Sequence, residues 1–144
     1  MTVGAILDSK GHQIIHVSPD DKLSSVVKLL SERRIGAVLV MSGAQLDGIL
    51  SERDIVRVIG ERGAAALDEP VQAVMTRKVI SCKPTDSVGA IMEKMTSGKF
   101  RHLPVVEDDK IVGLISIGDV VRFIMDEQRG IIEDLEQYIT GHHQ

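Results

Sequence analysis

The feature that most restricts how this chain can fold is an internal repeat. Displacing the 144-residue sequence by 65 positions lays residues 17–59 onto 82–124 without a gap, and nine of the 43 aligned positions are identical. Unrelated segments of this composition would share roughly two or three. The shared pairs include Pro19/Pro84, Asp21/Asp86, Val40/Val105, Gly48/Gly113, Ser51/Ser116, Asp54/Asp119 and Arg57/Arg122. A gapless repeat of this length means one supersecondary unit built twice.

The order of elements within the unit can be read from its periodicities. Short strands are expected at 13–17 and 79–82, each after a polar lead-in and each followed by a Pro-containing turn that suits a helix start. Leu23, Val26, Val27 and Leu30 fall at i, i+3, i+4 and i+7, and Val88, Ile91, Met92 and Met95 repeat that spacing, so a one-sided helix follows. Gly36 and Gly98 fall near the ends of these helices. Residues 37–41 and 46–50, and likewise 103–106 and 111–115, are β-rich runs joined by short polar turns, which predicts two antiparallel hairpins. In the second of these turns Asp108-Asp109 reads as turn chemistry rather than a catalytic acid pair. A second helix starts at Asp54 and at Asp119. The unit is β-α-β-β-α. One copy is too small to bury its sheet and helix faces, so two copies packed about a pseudo-twofold axis are expected. The fold class is α+β. The boundaries are a first repeat at 1–59, a linker at 60–72, a second repeat at 73–126, and a C-terminal helix and tail at 127–144. That last helix, with Ile131, Ile132, Leu135, Tyr138 and Ile139, has no counterpart in the first repeat; it covers the domain or meets a second subunit.

Each repeat ends in glycine, two apolar residues and Ser-x-x-Asp: Gly48-Ile49-Leu50-Ser51-Glu52-Arg53-Asp54 and Gly113-Leu114-Ile115-Ser116-Ile117-Gly118-Asp119. Two uses of this pattern are open. Ser at the N-cap and an acid three residues on form a capping box. The same helix start offers free N–H groups to an anion, and its carboxylate can accept two hydrogen bonds from a ribose diol.

Composition removes several alternatives. Aromatic residues are 2% of the chain and the net charge is −4, which argues against base stacking and against a phosphate-backbone surface. One cysteine, Cys82, cannot form an intrachain disulfide, and in its apolar run it reads as a small buried hydrophobe. No run of about 20 apolar residues predicts a membrane span, and no signal-peptide pattern opens the chain, so a cytoplasmic location is expected. No nucleophile constellation, P-loop, paired-cysteine motif, His-Glu-x-x-His or Gly-x-Gly-x-x-Gly occurs. The adjacent His142 and His143 lack further metal ligands, so no metal is assigned, and an enzyme is not expected.

Taken together, the duplication, the Pro19 and Pro84 turns, Val74-Met75-Thr76, the run from Phe100 to Val106 and both Gly-x-x-Ser-x-x-Asp ends resemble a tandem pair of CBS (cystathionine-β-synthase) domains. The resemblance covers roughly residues 2–125. The C-terminal helix resembles the tail of some stand-alone bacterial pairs. The resemblance implies a regulatory module that binds an adenosyl ligand (AMP, ADP, ATP, NAD(H) or S-adenosylmethionine) in two clefts between the repeats, without a catalytic cofactor. It implies that Asp54 and Asp119, with Ser51 and Ser116 beside them, hold ribose. Arg53, Arg101 and His102 would hold phosphate. The lead-in residues Thr76, Arg77 and Val79, and Lys10 and His12 in the first repeat, would line the adenine. It also implies a homodimer with an unidentified effector partner, and no nucleic-acid or membrane partner. Because Arg53 faces Gly118 in the repeat alignment, and Arg101-His102 face Gly36-Ala37, phosphate binding is expected to be unequal. The alternative is an interaction module whose clefts carry no physiological ligand.

Overall fold

The apolar spacings become helices and the β-rich runs become strands in both repeats. The computed structural model describes residues 1–140, so His142 and His143 lie outside the described residues. The elements are α1 (Val3–Lys10), β1 (His16–Val17), α2 (Leu23–Arg33), β2 (Ala37–Ser42), β3 (Gln45–Ser51), α3 (Glu52–Arg62), α4 (Val88–Gly98), β4 (His102–Glu107), β5 (Lys110–Ser116) and α5 (Ile117–Thr140). The segment after α3 holds two 3-10 turns, Ala64–Asp68 and Val71–Ala73. The chain divides into two compact units: Gln13–Ile80, and Met1–His12 together with the chain from Ser81 onward.

In the first-repeat unit the sheet order is β1-β2-β3, with β1 parallel to β2 and β2 antiparallel to β3. The hairpin turns through Gly43, whose φ of 61° lies in the left-handed region that costs glycine nothing. A bulge interrupts the ladder between Val40 and Met41. Leu23, Val26 and Leu30 of α2, Val38 and Val40 of β2, Leu50 of β3 and Ile55 and Val58 of α3 form one buried cluster with Val71, Val74 and Met75. The last three come from the segment that precedes the second repeat in sequence. That segment pairs with β3: Ile49 and Thr76 exchange backbone hydrogen bonds of 3.0 and 2.9 Å. A Cβ on Gly48 would lie 2.7 Å from the Thr76 carbonyl oxygen, so the close approach requires glycine.

The second-repeat unit repeats this plan with β4 and β5 antiparallel and the bulge at the equivalent place, between Val105 and Val106. The expected strand around Cys82 is reduced to one parallel bridge, Cys82 to Val105. Its hairpin turns through Asp108 and Asp109, both at positive φ, so these acids are turn residues. Here the covering segment is α1, a helix in the stretch that the sequence marks only as a polar lead-in. Thr2 caps α1 by accepting from the Ala5 N–H, and Val3, Ile6 and Leu7 are buried. The amides of Val3 and Gly4 donate to the Asp86 and Pro84 carbonyls, and Leu7 packs over Gly113. The two lead-ins are therefore exchanged: residues before the first repeat complete the second, and residues before the second complete the first.

Two details differ from expectation. The second helix of repeat two and the C-terminal helix are one continuous 24-residue helix, α5. Beyond its first turn, which holds Gly118, α5 has one glycine, Gly130, and a single glycine costs about 1 kcal/mol without ending a helix. The left-handed C-caps of α2 and α4 fall on Arg34 (φ 54°) and Lys99 (φ 59°), not on the neighbouring glycines. Gly98 ends α4 and leaves room for the Phe100 ring against it. Asp21 and Asp86, identical between repeats, each accept a 2.9 Å bond from the amide of the residue three back, Ser18 and Lys83, which closes the Pro-containing turn. No helix among the described residues is long and apolar enough to cross a membrane.

Candidate functional site

Each hairpin delivers its last strand residue, a serine, directly into a helix start. In the first-repeat unit Ser51 is the N-cap of α3, and the capping box is complete. The Ser51 Oγ accepts from the Asp54 amide (3.3 Å), and Asp54 Oδ2 accepts from the Ser51 amide (3.0 Å) and hydroxyl (3.1 Å). Asp54 is the one charged side chain among the described residues that counts as buried. Its second oxygen, Oδ1, accepts from Arg57 Nη2 at 3.1 Å. All of its hydrogen-bond partners therefore come from its own helix start. A desolvated carboxylate needs such partners, because an unpaired charge in this position would be strongly destabilising.

The second-repeat unit builds the same box at α5. The Ser116 amide donates to Asp119 Oδ2 (2.8 Å), and the Asp119 amide donates to Ser116 Oγ (3.1 Å). Here a partner also arrives from far away in sequence. Lys10, in the last turn of α1, donates from Nζ to Asp119 Oδ2 at 2.8 Å and to the Leu114 carbonyl at 2.7 Å. Oδ1 faces Arg122 Nη1 at 3.9 Å, an ion-pair distance too long for a hydrogen bond. Burial opposes ionisation of Asp119, but the hydrogen bonds from Lys10 and from Ser116 outweigh it. Its carboxyl lies below the usual 3.8.

The remaining candidates distribute as follows. His12 Nδ1 donates to the Val112 carbonyl at 3.1 Å, and its ring approaches Asp8, so Lys10 and His12 both lie along β5 in the second-repeat unit. Thr76 lies beside Ile49 in the first-repeat unit. Arg77, exposed, donates to the Gln72 carbonyl, and Val79 is half-buried in the same unit. Arg53 is exposed in the first turn of α3. Arg101 is exposed, His102 pairs with Ser116 across β4–β5, and the Ile117 amide donates to the Arg101 carbonyl. Arg101 and His102 thus flank the start of α5. Of the candidates, Lys10, His12, Arg101, His102, Ser116 and Asp119 belong to the second-repeat unit, and Ser51, Arg53, Asp54, Thr76, Arg77 and Val79 to the first-repeat unit.

Arg57 and Arg122 read from sequence as plain exposed helix residues. Both are exposed, yet both face the capping acid. The signal was present: each sits three residues after the acid, on the same helix face, and both are arginine. Cys82 is buried with its Sγ 3.6 Å from the Pro104 carbonyl. Burial pushes its thiol from 9.0 up to about 11, with the Asp86 charge adding to the effect, so it is no nucleophile at neutral pH.

The structure is thus a duplicated α+β unit, each copy ending in a hairpin that feeds a helix start capped by a serine and a part-buried acid. The CBS domain family model matches residues 3–61 and 71–126, and the chain belongs to that family as a tandem pair. Among curated proteins it is 33% identical to the mitochondrial CBS domain-containing protein CBSX3 of Arabidopsis thaliana, over 97% of this chain and 72% of that one. It is 27% identical to the CBS domain-containing protein YhcV of Bacillus subtilis, over 82% of this chain and 84% of that one. Among solved structures, a CBS-domain-containing protein of Agrobacterium tumefaciens matches with a TM-score of 0.83 and 39% identity, covering 85% of this chain and 98% of that one. The CBS domain pair of protein MJ0100, solved with 5-methylthioadenosine and S-adenosyl-L-methionine, shares the fold at a TM-score of 0.77 and 22% identity, covering 88% of this chain and 98% of that one.

Proposed function

We propose that this CBS pair is a non-catalytic regulatory module that binds an adenine nucleotide (AMP, ADP, ATP or NAD(H)) through its two Ser-x-x-Asp helix starts. The observation that carries this reading is the repetition of one arrangement: an acid, buried or partly buried and held by a serine cap, at a helix N-terminus in both units. A vicinal diol donates two hydrogen bonds to an oriented carboxylate: Asp119 Oδ1 faces Arg122 only at 3.9 Å and has acceptor capacity to offer, whereas at Asp54 the Arg57 bond to Oδ1 must be shared or given up. Arg101 and His102 in one unit, and Arg53 in the other, are the groups this reading assigns to phosphate, and Lys10, His12, Thr76, Arg77 and Val79 those it assigns to the adenine. The reading is supported by the MJ0100 pair, a protein of this fold solved with 5-methylthioadenosine and S-adenosyl-L-methionine, both adenosyl compounds. The output is linkage: a ligand favours the arrangement of repeats, or of subunits in a cytoplasmic homodimer, that it binds more tightly, and an effector protein reads the difference.

Thermal unfolding with AMP, ADP, ATP, NAD and NADH tests this. At a hundred times its dissociation constant a single-site ligand stabilises by about 2.7 kcal/mol. Asp54→Asn and Asp119→Asn, which keep the caps' acceptors, are expected to remove the ligand-induced stabilisation site by site. No shift with any of the five ligands would leave the module an interaction domain without a small-molecule ligand.

A further inference from the structure

The two capping acids are held differently, and the difference comes from outside the repeat. Ser51, Asp54 and Arg57 have counterparts in Ser116, Asp119 and Arg122 at the 65-residue displacement. The Lys10 ammonium has no counterpart at Asp54, which takes all its hydrogen bonds from its own helix start. At Asp119 that ammonium is fixed from two sides, by Oδ2 at 2.8 Å and by the Leu114 carbonyl of β5 at 2.7 Å. The seating of α1 brings it there. Ile6 and Leu7 are buried, Leu7 lies over Gly113, and the Val3 and Gly4 amides bond to the Asp86 and Pro84 carbonyls. Lys10 follows Leu7 by three residues on the same helix face, so a seated α1 delivers its ammonium to the end of β5.

The Ser116 amide and Lys10, each at 2.8 Å, together engage both lone pairs of Oδ2. Two donors on one oxygen fix the rotation of the carboxylate and leave acceptor capacity on Oδ1, which faces Arg122 at 3.9 Å. We propose that Lys10 is the positioning residue of the second-repeat ligand site: it holds Asp119 through Oδ2 so that Oδ1 receives the ribose diol, and it makes α1 a part of that site. This rests on the nucleotide reading above and gives the Lys10 ammonium a different task from the adenine lining that the family resemblance implies. Among the described residues, the charged groups that reach Asp119 are Lys10 from α1 and Arg122 from α5 itself; β5 offers Ser116 and its backbone, and His102 of β4 stands across the ladder from Ser116. Burial is the largest influence on the Asp119 carboxyl and opposes its ionisation, while Lys10 counters burial with both a hydrogen bond and a charge. With Lys10 present the carboxyl lies below 3.8 and stays ionised in mild acid; without it, burial moves the carboxyl up.

The test is titration calorimetry on the full chain with AMP, ADP, ATP, NAD and NADH in turn, in the wild-type chain and in an Asp54→Asn background that leaves the second-repeat site to report. In that background Lys10→Met is expected to raise the dissociation constant of the bound nucleotide about tenfold at neutral pH. The ratio of the two constants should widen as pH falls from about 7.5 to about 5, because only the variant's acid begins to take up a proton. Protonation of the nucleotide affects both chains alike and cancels in the ratio. Lys28→Met removes an exposed lysine of α2 and should leave the constant unchanged, with unfolding curves confirming that each variant folds. An unchanged or tighter site in Lys10→Met would overturn the assignment, as would a ratio that is flat with pH or an equal loss in Lys28→Met. Binding to the wild-type chain that vanishes in Asp54→Asn would overturn it and leave the nucleotide reading standing. No binding of any of the five by the wild-type chain would overturn both.

Discussion

Lys10 is the residue through which the two capping acids differ. Asp54 is satisfied within its own helix start, whereas Asp119 depends on an ammonium group 109 positions away in sequence. Removing the ammonium with Lys10→Met leaves the burial of Asp119 less well compensated. We expect a loss of about 1 kcal/mol at neutral pH, measured by urea unfolding. The sign follows from the lowered carboxyl. An acid ionised more readily in the folded chain contributes stability above its unfolded value of 3.8, and that contribution disappears as pH falls through the lower, folded value. The gap between Lys10→Met and the wild-type chain should therefore close as pH drops through this range; a gap that persists in acid would assign the loss to packing of the lysine stem. At this scale the sequence was informative about residue types and poor at partners. Ser51, Asp54, Ser116 and Asp119 stood out by repetition alone, while the Lys10–Asp119 bridge joins two positions with no shared period or motif.

Among the elements, the hairpins and amphipathic helices of both repeats were legible because β-rich runs joined by short turns, and apolar residues at helical spacing, are local properties of the chain. Helix α1 escaped notice because it is short and its apolar set, Val3, Ile6 and Leu7, covers barely one turn. Its Thr2 cap was the available signal. The glycines of the repeated motif also divide at this scale. At Gly48 a methyl group would meet the backbone oxygen of Thr76, which cannot move without breaking the pairing with Ile49; at Gly113 it would meet the flexible end of Leu7. Gly48→Ala is expected to cost about 1–3 kcal/mol and Gly113→Ala distinctly less, measured by chemical unfolding. Equal losses would mean that α1 covers β5 as rigidly as residues 74–76 cover β3. Arg34 and Lys99 hold left-handed C-caps that glycine adopts freely, so Lys99→Gly should raise stability by up to about 1 kcal/mol.

For the whole molecule, the exchanged lead-ins mean that the compact units cut across the repeats as read from the sequence, so a repeat taken alone is not expected to fold. A fragment of residues 13–80 keeps Val71, Val74 and Met75 in its buried cluster, while a fragment of residues 1–69 loses all three and carries α1 without its partner strand. Circular dichroism of the two fragments should show a cooperative thermal transition in the first and none in the second; the reverse would contradict the exchange. The duplication, the α+β class, the order of elements in each repeat and the paired Ser-x-x-Asp acids were determined by the sequence itself, because each rests on spacing between near neighbours or on identity between copies. Which lead-in completes which repeat, which cation faces which acid, and the fusion of α5 with its C-terminal extension were decided only in the tertiary structure. Residues 1–12 and 70–80 are each next in sequence to the repeat they do not complete. Their placement depends on which exposed strand they can cover, a contact energy between distant segments that no local pattern records.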